Sequence, residues 1–144
     1  MGFDLQGINP KLHSQEPDRD SDFHEYNSWL SENPGVYFRN NVWYWRPLWR
    51  YVCENCTDIL SEKDMNKGQW NNGEKIGKIK SIKIARRLDK LLKKGEVHQY
   101  LMAYETWRDN QEKDEGERSP YPFDEDNVRN FSRFCRESGG FYIC

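Results

Sequence analysis

Arginine, asparagine and aromatic residues interleave in one short stretch of the chain, VYFRNNVWYWRPLW at 36–49. A Trp or Tyr ring can stack on a nucleobase, an Arg can hold a phosphate through two parallel hydrogen bonds, and an Asn can read an adenine edge. This combination predicts a site for a nucleotide-type ligand. The candidate binding residues are Arg39, Asn40, Asn41, Trp43, Tyr44 and Arg46.

A second group with similar chemistry lies at Trp70, Asn71 and Asn72, directly before Gly73. These residues can form a second wall of the same pocket, although turn formation alone also explains an Asn-Asn-Gly sequence. Two alternatives stay open for both groups. They can be structural, or they can form a protein interface, because Trp, Tyr and Arg dominate interface hot spots.

Cys53-x-x-Cys56 is the only local spacing typical of metal or redox chemistry. Zinc needs four ligands, so Cys135 and Cys144 would have to complete the set. Cys56 falls on an apolar helical stripe and Cys135 stands beside Phe134, which favours buried thiols. We therefore expect no metal and no cofactor, with Cys53 and Cys56 as weak metal candidates.

Catalytic motifs are missing from the sequence. His13, His24 and His98 have no Ser or Cys partner in a local motif, and no P-loop, nucleophile elbow, zinc-protease or dinucleotide-binding pattern occurs. We expect no enzymatic activity and no catalytic residue. Triads assembled in space leave no sequence trace, so an enzyme of unmarked chemistry stays as the lowest-ranked alternative.

Charge is segregated along the second half of the chain. Residues 74–94 carry nine basic and two acidic side chains, whereas 96–126 carry three basic and ten acidic ones. The basic segment can follow phosphates, or its Lys face can pack near the acidic segments. Nucleic acid is not the favoured partner, because the net charge is −2 and the pI is near 6.0. The helically spaced cations are Lys83, Arg87, Lys90 and Lys94.

The length and composition indicate one domain over residues 1–144 with an unusually aromatic core of six Trp, eight Tyr and seven Phe. No apolar run approaches the roughly 20 residues of a membrane span. The start MGFDLQGINP lacks the basic region and apolar stretch of a signal peptide. We expect a cytoplasmic protein that does not enter a membrane.

Three strands are predicted, at 1–10, 36–39 and 141–144, with a tight turn at Asn40-Asn41. Residues 11–34 form a polar insertion in which Ser21 caps a short helix that presents Phe23, Tyr26 and Leu30. A helix with Pro47 in its first turn carries an apolar stripe that ends near Leu60.

The second half is predicted to contain a polar loop at 61–74 and three further helices or helical segments. One helix runs over 78–94. The next begins at Glu96 and gives way to a charged loop at about 108–120. The last starts at the N-cap Asp124 and stops at Gly139. The predicted class is α+β, with three to four helices packed on a small, mainly antiparallel sheet of two to three strands. The apolar residues of the helix from Glu96 are Val97, Tyr100, Leu101, Tyr104 and Trp107.

Four segments of the chain carry a resemblance to known proteins: MGFDLQGINP, GVYFRNNVWYWRPLW, NNG and YPFDEDNVRNFSRFCRESGGFYIC. With these segments the chain resembles a family of small proteins of unknown function that is widespread in bacteriophages and prophages. The resemblance covers most of the chain outside 11–34 and about 108–119, and the aromatic stretch is its most specific part. It implies a phage-encoded accessory protein made inside a bacterial host, and it implies no particular activity.

The chain departs from that family in two places. Many members pass almost directly from the first strand to the Gly-Tyr-Phe-Arg strand, so 11–34 is an insertion here. Many also carry a zinc-ribbon-like pair of CxxC motifs between the third and fourth helices, where this chain has NQEKDEGERS. The resemblance therefore implies a variant without the zinc module.

The function that these patterns favour is binding. We expect a non-enzymatic phage accessory protein that acts in counter-defence, in the cytoplasm of the bacterial host, by sequestering a host nucleotide-type signalling molecule. The second interpretation is a protein–protein inhibitor or adaptor that acts on a host defence protein through exposed aromatic residues. A nucleic-acid-binding regulator ranks third, and assembly into a homo-oligomer is left open.

Overall fold

Alternating apolar and polar residues at the start of the chain form a central strand. Phe3 and Leu5 are fully buried, whereas Gln6 on the opposite face of the strand is exposed, as is typical of a strand with one buried face.

The computed structural model describes residues 2–18 and 20–144. Met1 of the predicted first strand and Arg19 of the predicted insertion lie outside the described residues.

The described residues form four strands and six helices, which confirms the predicted α+β class although both counts are higher than expected. The strands are β1 (Gly2–Gly7), β2 (Tyr37–Asn41), β3 (Glu74–Ile76) and β4 (Phe141–Ile143). The helices are α1 (Phe23–Glu32), α2 (Val42–Asn55), α3 (Glu62–Lys67), α4 (Lys78–Lys93), α5 (Glu96–Glu115) and α6 (Glu125–Glu137).

The strands make one antiparallel sheet in the order β2-β1-β4-β3. Leu5 lies opposite Phe38 on β2 and Ile143 on β4, which puts all three side chains on the same face. That face is buried, and its other members are Phe3, Ile76 and Phe141. The opposite face is largely open to solvent and carries Gln6, Tyr37, Arg39, Lys75 and Tyr142.

Helices α2 and α6 cover the buried face of the sheet. Trp45 of α2 stacks on Phe3 with ring centroids 5.4 Å apart. Phe131 and Phe134 of α6 pack on Phe38 at 5.3 and 5.9 Å. Helix α4 packs on α6, and α5 follows α4 around the side of the molecule. The core is therefore aromatic where helices meet the sheet, as the composition predicts.

Helix α2 begins earlier than the sequence suggests. Asn41 is its N-cap and accepts a hydrogen bond from the Tyr44 amide at 3.1 Å, so the predicted Asn40-Asn41 turn is wrong. Asn40 is still paired in the sheet, opposite Phe3. Pro47 consequently lies inside the helix and not in its first turn. The helix start is therefore set by the N-cap Asn41 and not by Pro47, because an Asn side chain satisfies a free backbone amide at the start of a helix.

One short helix lies inside the predicted polar loop at 61–74, and one short strand begins at its last residue. Helix α3 has six residues and begins with a capping box. The Asp64 amide donates to the Ser61 hydroxyl oxygen, and the Ser61 amide donates to the Asp64 carboxylate. Strand β3 has three residues, of which only Ile76 is buried. Neither element is long enough to show a periodic apolar pattern.

Two helix predictions needed correction at their ends. Asp22, not Ser21, caps α1, and the residue that α1 buries is Trp29, while Phe23 is exposed. Helix α5 extends to Glu115, so the charged loop starts at Gly116 and not near 108. Charged side chains at the solvated end of a helix leave no apolar periodicity to detect. No helix among residues 2–18 and 20–144 is both long and apolar enough to span a membrane.

Candidate ligand-binding cavity

The strand half of the predicted cluster, Arg39 to Asn41, forms contacts with other parts of the fold. Arg39 points to the open face of the sheet, 3.7 Å from the carboxylate of Asp4 on β1. Asn40 and Asn127 of α6 exchange two amide hydrogen bonds of 2.9 and 2.8 Å. Asn41 caps α2. The three side chains face different partners and do not converge on a pocket.

The helix half of the cluster lies on the outer side of α2. Trp43 and Tyr44 are exposed, and the Trp43 ring packs on Tyr121 with centroids 5.2 Å apart. Arg46 donates from Nη1 to the side-chain carbonyl of Gln69 at 3.0 Å, and its guanidinium lies 5.8 Å from the centre of the Phe3 ring. Trp43 and Arg46 therefore flank the same surface.

A cavity of about 220 Å³ opens at this surface. Three segments build it: the outer side of α2, the middle of α5, and the connection that leads to α6. Arg46 is thus the one member of the predicted set that lines it. The lining residues are Arg46, Pro47, Arg50, Tyr104, Trp107, Ser119 and Tyr121.

Hydrogen bonds and aromatic packing hold the walls of the cavity in place. Arg108 donates to the Ser119 carbonyl from Nε at 3.2 Å and from Nη2 at 2.9 Å, and the Tyr104 hydroxyl donates to the Tyr121 carbonyl. Phe123 is buried against Tyr104, with ring centroids 6.0 Å apart. The connection is thereby fastened to α5, so the cavity is formed before any ligand arrives.

The cavity carries positive charge beside aromatic faces. Arg46 donates to the side-chain and backbone carbonyls of Gln69 and forms no ion pair within the described residues, while Arg50 is paired with Glu54 at 3.0 Å. Burial raises the pKa of Tyr104, so its phenol is neutral at physiological pH. Trp107 packs on Tyr104 with ring centroids 5.5 Å apart and is 48% exposed. This chemistry suits a planar anion.

The predicted second wall lies elsewhere. Trp70 is 57% exposed and, with Asn72, lines a different shallow depression of about 130 Å³. The Asn71 side chain donates to the Gly2 carbonyl at 2.9 Å and so ties this loop to β1. The structure does not bring Trp70, Asn71 or Asn72 to the cavity beside Arg46.

The two cysteines of the CxxC spacing are packed into the interior. Cys56 is fully buried and Cys53 is half-buried at the end of α2. Burial raises the pKa of Cys53 to about 12 and that of Cys56 to about 11, so both are protonated thiols at neutral pH. Among residues 2–18 and 20–144, no group of three or more potential metal ligands is brought together.

Sequence reasoning missed most of the cavity. The apolar stripe of α5 predicts both Tyr104 and Trp107 in the core; Tyr104 is half-buried and packs against the core, whereas Trp107 is 48% exposed. The signal that could have found Trp107 is its place at the end of the apolar stripe, because Asn110 and Gln111, three and four residues further on the same face, are polar.

The fold and the cavity together define the class of this protein: an α+β protein with a preformed aromatic cavity that presents arginine. Comparison with family models, curated proteins and solved structures gives no match. The resemblance to phage proteins therefore stays a prediction.

Proposed function

We propose that the protein is a non-enzymatic binding protein that sequesters a nucleotide-type small molecule in the cavity between α2 and α5. The observation that carries this proposal is the guanidinium of Arg46, which bonds to Gln69 and forms no ion pair within the described residues, at the same cavity as the exposed ring of Trp107. A nucleobase can stack on the indole while the arginine fork binds a phosphate.

The size of the cavity supports a ligand that is only partly enclosed. About 220 Å³ corresponds to roughly seven water molecules and is smaller than the roughly 300–1,000 Å³ of sites for drug-sized ligands. One base with its phosphate fits this scale. Further parts of a larger nucleotide would extend over Trp43 and Tyr44, which are exposed on the neighbouring turn of α2.

The resemblance to phage accessory proteins suggests the setting in which such binding would be useful. A protein that holds a host signalling nucleotide without altering it lowers the free concentration of that messenger. We therefore place the proposed activity in counter-defence, in the cytoplasm of a bacterial host. This placement rests on the resemblance and not on the cavity.

The direct test is calorimetry with a panel of mononucleotides and cyclic dinucleotides, followed by chromatography of the ligand recovered after denaturation. We expect binding with recovery of unmodified ligand. Arg46→Ala should weaken binding by about 10- to 100-fold, since a hydrogen bond to a charged group is worth about 1.5–3 kcal/mol. Trp107→Leu should have a similar effect, because stacking on a base contributes about 1–3 kcal/mol.

Matched controls come from the same chain. Arg133→Ala removes an exposed arginine outside the cavity, and Trp70→Leu removes an exposed tryptophan at the other depression. Neither should change affinity more than about twofold, which is within about 0.4 kcal/mol. Absence of binding across the panel would end the proposal, and recovery of a cleaved nucleotide would replace it with an enzyme.

A second candidate function has its own structural support on the opposite side of the molecule. Tyr26 and Leu30 of α1 face Val36 and Tyr37 across a groove of about 380 Å³. Phe23 at the start of α1 is 76% exposed. Exposed apolar side chains around a groove are typical of protein interfaces, so this surface suits an inhibitor or adaptor that contacts a host protein.

The two candidate functions can be separated by paired variants. Phe23→Asp should abolish co-purification of a specific host protein and leave nucleotide binding intact, whereas Trp107→Leu should do the opposite. If Phe23→Asp has no effect on any co-purifying protein, the interface on α1 is not supported.

A further inference from the structure

Helix α4 has one buried side and one strongly basic side. Its buried residues pack against α6 and leave the opposite side to solvent. Positions three or four residues apart share a face of a helix. The residues that follow this spacing on the solvent side are Ile79, Lys83, Arg86, Lys90 and Lys93, and all are exposed. We call Lys83, Arg86 and Lys90 the basic stripe.

Acidic residues next to α4 are already paired with cations at its margins. Asp58 receives two hydrogen bonds from the Arg87 guanidinium, at 2.9 and 2.7 Å, and Arg87 thereby holds the pKa of Asp58 below its usual range. Asp64 is bonded to Lys80, and Asp89 is bonded to Arg136. The ion-pair partners of these carboxylates are therefore cations outside the basic stripe.

The acidic segment at 96–126 does not neutralise the stripe either. Its ion pairs within the described residues are made with cations of α5, of the following connection and of α6, and with the imidazole of His98. Lys83, Arg86 and Lys90 form no ion pair with any residue in 2–18 or 20–144. Packing against acidic segments therefore does not explain the stripe.

The stripe also borders a concave surface. A cleft of about 290 Å³ lies between α4 and the turn after α2, lined by Ile59, Asp58 with its partner Arg87, and all three members of the stripe. An anion in this cleft would meet the three cations of the stripe, none of which forms an ion pair within the described residues, beside the Asp58–Arg87 pair. The repulsion among those charges falls when an anion binds.

We propose that the basic stripe binds the sugar–phosphate backbone of double-stranded nucleic acid without reading its sequence. From Lys83 to Lys93, the last exposed cation on this face, the cations extend over about 15 Å of helix at 1.5 Å per residue, which is enough for several phosphates and too long for one small anion. Aromatic residues are absent from the exposed side of α4. A duplex needs no stacking platform, whereas single strands usually bind to one.

This site shares no residue with the cavity between α2 and α5, so it goes beyond the proposed function and does not depend on it. The overall net charge is a weaker argument against nucleic-acid binding than the sequence alone suggests. A net charge of −2 disfavours nucleic acid for the chain as a whole, but the −7 segment and the +7 segment lie on different elements.

Fluorescence anisotropy with a short labelled DNA duplex over a series of salt concentrations tests the proposal. We expect a dissociation constant on the order of 10⁻⁴–10⁻⁶ M, typical of sequence-independent binding, and a log–log salt slope of about −3 for three phosphate contacts. The triple variant Lys83→Glu, Arg86→Glu, Lys90→Glu should lose binding, because each lost contact removes about one unit of slope.

A control with the same change in net charge separates a local site from a global effect. Lys11→Glu, Lys113→Glu, Arg133→Glu alters three exposed cations elsewhere and should keep the wild-type affinity and slope. Circular dichroism confirms that both triple variants fold. Equal loss in the two triple variants, tighter binding to single strands than to the duplex, or full competition by polyglutamate would each overturn the proposal.

Discussion

The two halves of the aromatic stretch, Arg39–Asn41 and Trp43–Arg46, have similar chemistry but different surroundings in the structure. In the strand half each polar side chain has a partner within the fold: Asp4 for Arg39, Asn127 for Asn40 and the α2 backbone for Asn41. In the helix half, Trp43 and Arg46 flank a cavity. The difference follows from geometry, since the chain changes from a strand to a helix between the two halves.

That comparison explains why residues that are close in the sequence and chemically suited to a ligand do not together form one binding site. Side chains alternate between two faces in a strand and rotate by about 100° per residue in a helix, so six neighbours cannot converge. A partner from a distant segment completes the cavity instead. Tyr104 and Trp107 come from α5, and Tyr121 comes from the connection before α6.

The largest effect is expected inside the helix half, where two tryptophans two residues apart have opposite roles. Trp45 is fully buried, stacks on Phe3 and on Trp49, and donates its indole N–H to the Gly68 carbonyl at 2.8 Å. Trp45→Ala should destabilise the protein by about 3–5 kcal/mol. Trp43→Ala should cost less than about 1 kcal/mol, because Trp43 is 45% exposed.

Urea denaturation measures both values, and Trp45→Phe keeps the experiment informative if Trp45→Ala does not fold. Trp45→Phe loses the hydrogen bond to Gly68 and should cost about 1–3 kcal/mol. Equal destabilisation by Trp43→Ala and Trp45→Phe would show that the helix half is uniformly structural, and the comparison between the halves would fail.

The second-largest effect on stability is expected at Asn40 and Asn127, the pair of side chains that joins the strand half to α6. Asn40→Ala removes both hydrogen bonds to Asn127 and leaves the half-buried Asn127 amide without this partner, so we expect a loss of about 1–3 kcal/mol in the free energy of unfolding. Nucleotide affinity should not change. A double-mutant cycle with Asn127→Ala checks the pairing, and a coupling energy near zero would contradict it.

Tyr37, at the start of β2, predicts a pH dependence of the strand half. Burial, then the hydrogen bond to Asp4, raises the pKa of Tyr37 from 10.0 to about 12. The folded protein therefore keeps a proton that the unfolded chain has released, and the stability present below pH 10 is lost as the pH rises through about 12. Because the side chain is 38% exposed, solvent screening limits the loss to about 1 kcal/mol.

Denaturation curves of wild type and Tyr37→Phe between about pH 8 and 12 measure this contribution. The variant should show a shallower alkaline decline, and some decline should remain because burial also raises the pKa of Tyr51 to about 12. Identical slopes for the two proteins would mean that the Tyr37 hydroxyl is not linked to the stability of the strand half.

Local patterns predicted the long elements, and they could not predict the cavity. The apolar periodicity of α4 and the Asp124 cap of α6 are encoded within a few residues, and both predictions are confirmed. The cavity depends on which distant segments meet. Nothing in the sequence near Arg46 specifies that Trp107 lines the same cavity, because the position of Trp107 results from the packing of α5.

The smallest expected effect is the most direct test of the comparison, because it concerns two arginines of one stretch. The ion pair between Arg39 and Asp4 is exposed and 3.7 Å long, and such pairs contribute about 0–1 kcal/mol. Arg39→Ala should therefore change the free energy of unfolding by less than about 0.5 kcal/mol and leave nucleotide affinity unchanged. Arg46→Ala should weaken binding and leave stability nearly unchanged. If Arg39→Ala weakens binding as strongly as Arg46→Ala, the ligand reaches the open face of the sheet, and the strand half belongs to the site after all.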